Sequence, residues 1–318
     1  MEVKNLNLAT LCPLFAEEEA ARKFIESQRW PNGPVCPRCG CTDHYTLNPR
    51  PASRRPVRPG VYTCKGCKKQ YTVRIGMIFE DSHVPLNKWL MAMHLMMSCK
   101  KGISSLQLSR EVGITVKSAW FMSHRIREAL VEDPKGGLLG GTVEVDETYV
   151  GGKPRKGTGL HKRGRGTAKT PVMVLVERDG RARTQRVDRI TAKELKGAVK
   201  AHVNTDAKIV TDDLASYKGI DKEFSGGHSV VNHTAGEYVN KDREHTNSAE
   251  SFFALPKRGH YGIFHSLSKQ HLFRYCNEFS FRWNNRKVSD GERMVEAIKG
   301  AEGKRLLYRE SQSRIPSH

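Results

Sequence analysis

The stretch Val143 to Gly152, VEVDETYVGG, constrains this chain more than any other. Val143, Val145 and Val150 form a β-branched run that reads as a strand seeking burial, and Gly151 and Gly152 close it. Yet Asp146 stands at its centre, with Glu144 and Glu147 beside it. Alternation along a strand sends Glu144, Asp146 and Thr148 to one face and Val143, Val145 and Tyr149 to the other. A carboxylate in a buried strand costs free energy unless a cation, a donor or a chemical task accompanies it. The fold is expected to supply one of these.

Two later stretches bring further acids. Ala207 to Asp213, AKIVTDD, reads as a buried strand ending in carboxylates. Asp212 emerges beside the end of the first strand if the two are neighbours, whereas Asp213 faces away and is expected to cap a short helix, Leu214 to Tyr217. His245 to Phe253, HTNSAESFF, offers Glu250. Asn247, three residues earlier, also makes a capping box with it, the purely structural alternative for that glutamate. Three carboxylates are hard oxygen ligands suited to Mg2+ or Mn2+. Two such ions held about 3.5–4 Å apart clamp the attacking and leaving oxygens of an in-line phosphoryl displacement.

Cys36-Pro-Arg-Cys39 and Cys64-Lys-Gly-Cys67 are two C-x2-C pairs with residues 40–63 between them. Thiolates so spaced form the knuckles of a tetrahedral, closed, structural Zn2+ site. Gly40 and Gly66 are expected to make the tight turns. Cys41 is an alternative to Cys39 with poorer spacing. The interval exceeds the usual range by a Pro/Arg loop, Pro49 to Pro59, and Gln70 to Val73 reads as the closing strand of a zinc ribbon. A redox pair would not need the second knuckle.

Composition narrows the partners. Lys and Arg number 54 against 34 Asp and Glu, a net of +20, which favours a polyanion: nucleic acid first, an anionic membrane second. The longest apolar run, Leu90 to Met97, is too short to span a bilayer and contains His94. The N-terminus carries Glu17, Glu18 and Glu19 and lacks the order of a signal peptide. A cytoplasmic protein without a membrane partner is expected, its eight cysteines reduced or metal-bound.

Between these landmarks, residues 12–30 read as one short helix, and Leu86 to Lys100 as a Met-rich core helix with His94 and Cys99 in packing roles. Ser104 to Val112, a turn at Gly113, and Val116 to Val131 have the helix-turn-helix pattern. Thr115 would cap the second helix, with Lys117, Ser118 and Trp120 facing a major groove and Ile114, Ala119, Ile126 and Leu130 the core. A break falls near 133–141, and Lys153 to Lys169 is a basic loop that reads equally as a phosphate-binding segment or a solvated loop without function. Val172 to Glu177, a hairpin at Asp179-Gly180, Ala182 to Val187, a helix Thr191 to His202 and the strand ending at Asp212 give a mixed α/β pattern. Lys257, Arg258, His260 and Tyr261 place cations and an aromatic close to Glu250, suited to phosphates and an unstacked base. Leu272, Tyr275, Phe279 and Phe281 read as the buried face of a long helix ending in exposed Arg282, Asn284, Asn285 and Arg286. A last helix is expected over Arg293 to Leu307. Histidines 228, 233, 245, 260, 265 and 271 lack ligand spacing and read as loop or DNA-facing residues.

VEVDETYVGG, TDDLASY and HTNSAESFFALPKRGHYGIFHSLSKQHLFRYCNEFSFRWNNR together resemble the catalytic domain of bacterial insertion-sequence transposases of the DDE class. The likeness is to the branch with a zinc ribbon and helix-turn-helix before a ribonuclease-H-like, ISXO-like domain, and it runs from about residue 15 to 290. It implies that Asp146, Asp212 and Glu250 are a catalytic triad binding two Mg2+ or Mn2+ ions. It leaves Asn247 open, since some members carry Asn as the third ligand. Pro256 departs from the pattern and is expected to end or kink the helix that carries Glu250.

The architecture expected from all this is an N-terminal helix and zinc ribbon (1–80), a helix-turn-helix (81–135), a ribonuclease-H-like α/β domain with a mixed five-stranded sheet (136–290), and a C-terminal helix and tail (291–318). The resemblance implies a transposase that cleaves transposon ends and joins the 3′-hydroxyl to target DNA, as a homodimer or higher oligomer associated with the nucleoid. Lys117, Ser118, Asn247, Lys257, Arg258 and Tyr261 are its expected DNA contacts. Two rivals differ in kind: a non-catalytic DNA-binding regulator, and a structure-specific nuclease of the ribonuclease H type.

Overall fold

The computed structural model describes residues 6–48, 57–132, 136–151, 169–231 and 244–309. His233, nearly all of the basic loop 153–169 and most of the Pro49 to Pro59 loop lie outside these. The chain divides into two compact units, one running to Val131 and resuming at Val288, the other spanning Glu132–Lys287.

The first unit opens with two helices rather than the single one expected. α1 (Leu8–Ala16) begins at a capping box between Asn7 and Thr10, and α2 (Glu18–Arg29) follows directly. Glu17 between them is extended (φ −123°, ψ 131°), which breaks the helical ladder in one residue. β1 (His44–Leu47), β2 (Val61–Cys64) and β3 (Gln70–Tyr71) form an antiparallel sheet in that order. α3 (Leu86–Ser98) is the Met-rich helix, with Trp89, Met93, Met96 and Met97 buried as expected of core methionines.

α4 (Ser105–Val112) and α5 (Val116–Ala129) complete the helix-turn-helix pattern. Ser104 and Thr115 accept from the third helical amides, each supplying a partner that an N-terminus lacks. Gly113 adopts φ +67°, the left-handed turn that lets α4 end and the chain reverse. Ala119, Ile126 and Leu130 are buried and Ile114 is half-buried.

The second unit is built on a five-stranded sheet. β4 (Thr142–Val150), β5 (Thr170–Glu177) and β6 (Ala182–Arg186) form an antiparallel meander, and α6 (Ala192–His202) carries the chain across to β7 (Lys208–Asp212) and β8 (His228–Val231). The strand order is β6-β5-β4-β7-β8, with β4, β7 and β8 parallel. In order of appearance that is 3-2-1-4-5, the mixed ribonuclease-H-like sheet expected.

Each sheet face has its own core. Val143, Val145, Met173, Leu175 and Ile209 pack under Leu195 and Val199 of α6. On the other face Val174 and Val176 meet Ala249, Phe252 and Phe253 of α7 (Asn247–Gly259) and Phe279 of α8 (Leu272–Asn284). Leu175→Ala should destabilise this unit by about 2–5 kcal/mol, lost burial plus a cavity the flanking strands cannot close. A calorimetric scan should place its transition roughly 5–15 °C lower, and a shift under 2 °C would show that the site collapses.

The Arg282 to Arg286 end of α8 is exposed only at Arg286; Asn284 and Asn285 are half-buried. Arg282 is buried and pairs with the fully buried Glu278, Nη2 to Oε1 2.6 Å. Asn284 brackets the Ala182 backbone, accepting its N–H at 2.7 Å and donating to its carbonyl at 3.2 Å, and Arg286 donates to the Gly180 carbonyl. This end of the helix docks on the β5–β6 hairpin.

The last helix, α9 (Asp290–Lys299), starts earlier and stops sooner than expected, because Ser289 and Glu292 form a capping box and Gly300 follows Lys299. It packs on α3 and α2, so it belongs to the first unit's core and is no separate appendage.

Candidate active site

Register builds the acidic site. β4 pairs in parallel with β7 from Thr142↔Lys208 to Val145↔Thr211, so the next residue on each strand is an aspartate, Asp146 and Asp212. Asp212 ends β7, and Asp146 lies mid-way along β4 just past the last β4–β7 pair, close to where open α/β sheets place their ligands. Glu147 joins them: Asp146, Glu147 and Asp212 each bring a carboxylate oxygen within 4.8 Å of the others. Strand alternation had put Glu147 on the far face. The ladder to β7 ends at Val145, so Glu147 lies beyond the last pair on that side while β4 runs on against β5 to Val150.

Electrostatics mark this as a place for a cation. Burial, reinforced by the charges of Asp212 and Glu250, pushes the Asp146 carboxyl up to about 6, although it accepts the Glu147 amide at 2.8 Å. Lys257 pulls the other way. Hard oxygens crowded at this spacing fit a divalent ion of the Mg2+ or Mn2+ kind. Asp212 Oδ1 also accepts the Leu214 amide at 3.1 Å. The short helix that follows (Ala215–Tyr217) has no side-chain cap, so the cap expected of Asp213 does not form.

Glu250 stands apart from the three-acid group. It lies exposed on the first turn of α7, close enough for its charge to raise Asp146. The capping box that was the structural alternative for Glu250 does not form: the N-cap is Thr246, and its side chain makes no capping bond. The free amides are satisfied from the sheet: Ser248 N–H and Ala249 N–H donate to Glu144 Oε2 at 2.8 and 3.2 Å. Ser248 Oγ and Arg178 Nε donate to Glu144 Oε1 at 3.0 and 3.2 Å, and His245 Nδ1 lies at 3.4 Å. Glu144 is thus a fully buried anion at a helix N-terminus, a role that sequence spacing could not reveal.

Pro256 does not terminate α7. The helix continues to Gly259 and widens into a π turn over His260–Phe264. The missing proline N–H removes one ladder bond, and packing of Phe252 and Phe253 against the sheet holds the rest. The π turn leaves Tyr261 at 69 % exposure while His260 is buried. Lys257 and Arg258 are exposed one turn before it, and Asn247 is exposed at the helix start. Of the other histidines, His271 is buried and His228 is half-buried, with Nε2 2.9 Å from Thr211 Oγ1.

The first unit carries the other expected sites. Cys36, Cys39, Cys64 and Cys67 converge, with Sγ–Sγ distances of 3.7 Å for Cys36–Cys67 and 3.5 Å for Cys39–Cys64. Sulfurs placed tetrahedrally about zinc at Zn–S ≈ 2.3 Å are separated by about 3.8 Å, so the four residues fit the ion. The Cys67 amide, 3.4 Å from Cys64 Sγ, holds that thiol down, to about 6. Cys41 turns out of the cluster toward the Asp43 carbonyl. Gly40 adopts φ +73° as expected, but in the second knuckle the left-handed residue is Lys68 (φ +58°) rather than Gly66. On α5, Lys117 is exposed with its Nζ 5.1 Å over the Tyr308 ring. The Ser118 hydroxyl accepts from Thr115, and Trp120 is half-buried edge-on against His124.

Sheet order and acid placement define a class: a ribonuclease-H-like fold with a carboxylate cluster on its central strands. Residues 138–284 match the ISXO2-like transposase domain, and residues 16–70 match the transposase zinc-ribbon domain. Both matched domains are those of insertion-sequence transposases, and together they span 202 of the 318 residues. It is 29 % identical over 283 residues to an uncharacterised protein in transposable element ISH50 of Halobacterium salinarum, covering 84 % of this chain and 91 % of that one. Two solved assemblies, the Mos1 strand transfer complex and a pre-cleavage Mos1 transpososome, are each 11 % identical. They cover 69 and 68 % of this chain and 79 % of theirs, with TM-scores of 0.28 and 0.25. Among the described residues no helix is long and apolar enough to cross a membrane.

Proposed function

We propose that this DNA transposase hydrolyses the phosphodiester at each transposon end and then joins the freed 3′-hydroxyl to target DNA. The observation that carries this reading is the convergence of Asp146, Asp212 and Glu147, with the charge of Glu250 felt at Asp146. Asp146, Asp212 and Glu250 would hold two Mg2+ or Mn2+ ions, with Glu147 as a further ligand. Divalent ions supply charge stabilisation at the attacking and leaving oxygens.

The chain's own residues do the rest. In the first step water attacks phosphorus and the 3′-oxygen leaves; in the second that hydroxyl attacks and another 3′-oxygen leaves, so no covalent protein intermediate is required. Lys257 and Arg258 would hold the scissile strand by its phosphates, Asn247 would contact DNA beside the acids, and Tyr261 offers an exposed ring to an unstacked base. The ribbon and α5, through Lys117 and Ser118, would read the terminal inverted repeats. The active form is a homodimer or higher oligomer on DNA, in the cytoplasm at the nucleoid.

Purified protein, Mn2+ or Mg2+, and duplexes bearing the element's ends test this. The expected result is divalent-ion-dependent nicking at the ends, followed by joined products with a target plasmid. Nicking without joining would favour the nuclease reading, and end binding without either would favour the regulator.

A further inference from the structure

Glu144 belongs to the same face of β4 as Asp146, but it is not one of the three clustered acids. It is fully buried and gathers four donors, of which three come from Ser248 and Ala249 at the start of α7 and one from Arg178. Arg178 reaches further, with Nη1 2.9 Å from Glu244 Oε2 and Nη2 donating to the His245 carbonyl. Lys208 at the start of β7 closes the chain on Glu244 Oε1 at 2.7 Å. Strand β4, strand β7 and the segment leading into α7 are thereby tied through one part-buried ionic network centred on the buried Glu144.

We infer that Glu144 is a positioning residue that sets the metal-binding geometry by clamping the N-terminus of α7, and with it Glu250, against the strand that carries Asp146. The inference rests on the proposed metal site. Its physical basis is proximity: Glu250 follows the clamped Ser248 by two residues, and Asp146 follows Glu144 by two on the same strand face. A carboxylate accepting helix amides is strengthened by the helix dipole, and the guanidinium compensates its burial. Releasing the clamp lets the first turn of α7 fray, and Glu250 moves relative to Asp146. Such a residue governs ion affinity more than the chemical step, since enough metal can draw the ligand back.

Glu144→Gln keeps the shape and removes the charge. Its carbonyl can still accept the two amides, but its NH2 then faces the Arg178 guanidinium. Mn2+ titrated into the full chain and followed by the electron paramagnetic resonance of the free ion should show roughly tenfold weaker binding. End nicking should need more Mn2+ by a similar factor, with the rate at saturating Mn2+ within a few-fold of wild type. A merely structural role would lower the melting temperature without moving the Mn2+ midpoint. Ser248→Ala removes one donor without an uncompensated buried charge, so it serves if the glutamine variant fails to fold; about threefold weaker Mn2+ binding is expected.

Asp146→Asn separates the two ideas. If it abolishes Mn2+ binding while Glu144→Gln, or Ser248→Ala in its place, leaves the midpoint unchanged, the clamp is overturned and the metal site stands. If Asp146→Asn itself leaves Mn2+ binding unchanged, the metal site is wrong and the clamp falls with it.

Discussion

Asp146→Asn should reduce end cleavage by at least about a thousandfold and, at neutral pH, make the metal-free protein more stable than wild type. The first effect follows from losing a charged ligand beside the reacting phosphate. The second follows from the pKa. The Asp146 carboxyl rises from 3.8 to about 6 on folding, through burial and then the neighbouring acids. The folded state therefore holds this proton more tightly than the unfolded state does. Stability from this group is complete below pH 4, is lost as pH climbs to 6, and is missing at pH 7. The shift corresponds to at most about 3 kcal/mol at neutral pH. Asparagine cannot ionise and still accepts the Glu147 amide, so it escapes the cost. Metal-free thermal melts at pH 7.5 should place the variant a few degrees above wild type, and the gap should close by pH 4. Added Mn2+ should stabilise wild type and leave the variant unmoved. Retained cleavage, or a variant less stable than wild type at pH 7.5, would refute the assignment.

Zinc removal should have the larger structural effect. β1, β2 and β3 have four, four and two residues, too few for a self-sustaining sheet. The apolar support is an aromatic cluster in which Trp30 meets Tyr62 and Tyr71 edge-on. Apparent Zn2+ affinities in small zinc domains reach about 10–16 kcal/mol, more than such a cluster supplies. Cys64→Ser, or a strong chelator, should unfold the ribbon and weaken binding to transposon ends by about a hundredfold or more. The second unit should keep its own melting transition. Limited proteolysis reads this directly: cuts should appear across 36–71 in the stripped protein and spare 169–231. A zinc-free ribbon that resists protease would mean the aromatic packing suffices.

The parts legible in the sequence were those with a local physical signature. C-x2-C spacing is set by how two thiolates reach one ion, so the four ligands were evident. The turn at Gly113 and the capping residue Thr115 separate α4 from α5 without help from the rest of the chain. Asp146 and Asp212 could be paired because one interrupts and the other ends an apolar strand. Other features were misjudged for equally physical reasons. Pro256 carries a local helix-breaking signal, but packing of its helix on the sheet outweighs one lost hydrogen bond. Arg282 and Asn284 look like solvent-facing polar residues until Glu278 and the Ala182 backbone are placed beside them.

The sequence by itself determined which residue types were available: four thiolates for a ribbon, a short capped helix pair, and acids at the ends of β-rich runs in a basic chain. Tertiary structure alone decided how those acids divide the work. Glu147 comes to the cluster because the β4–β7 ladder stops at Val145. Glu144 leaves it to cap α7, because helix amides with no local partner draw the nearest buried carboxylate, though Asn247 and Glu250 spell a capping box. Local patterns record what neighbours in the chain can do for one another. Only the folded register fixes which distant charges must share one buried place.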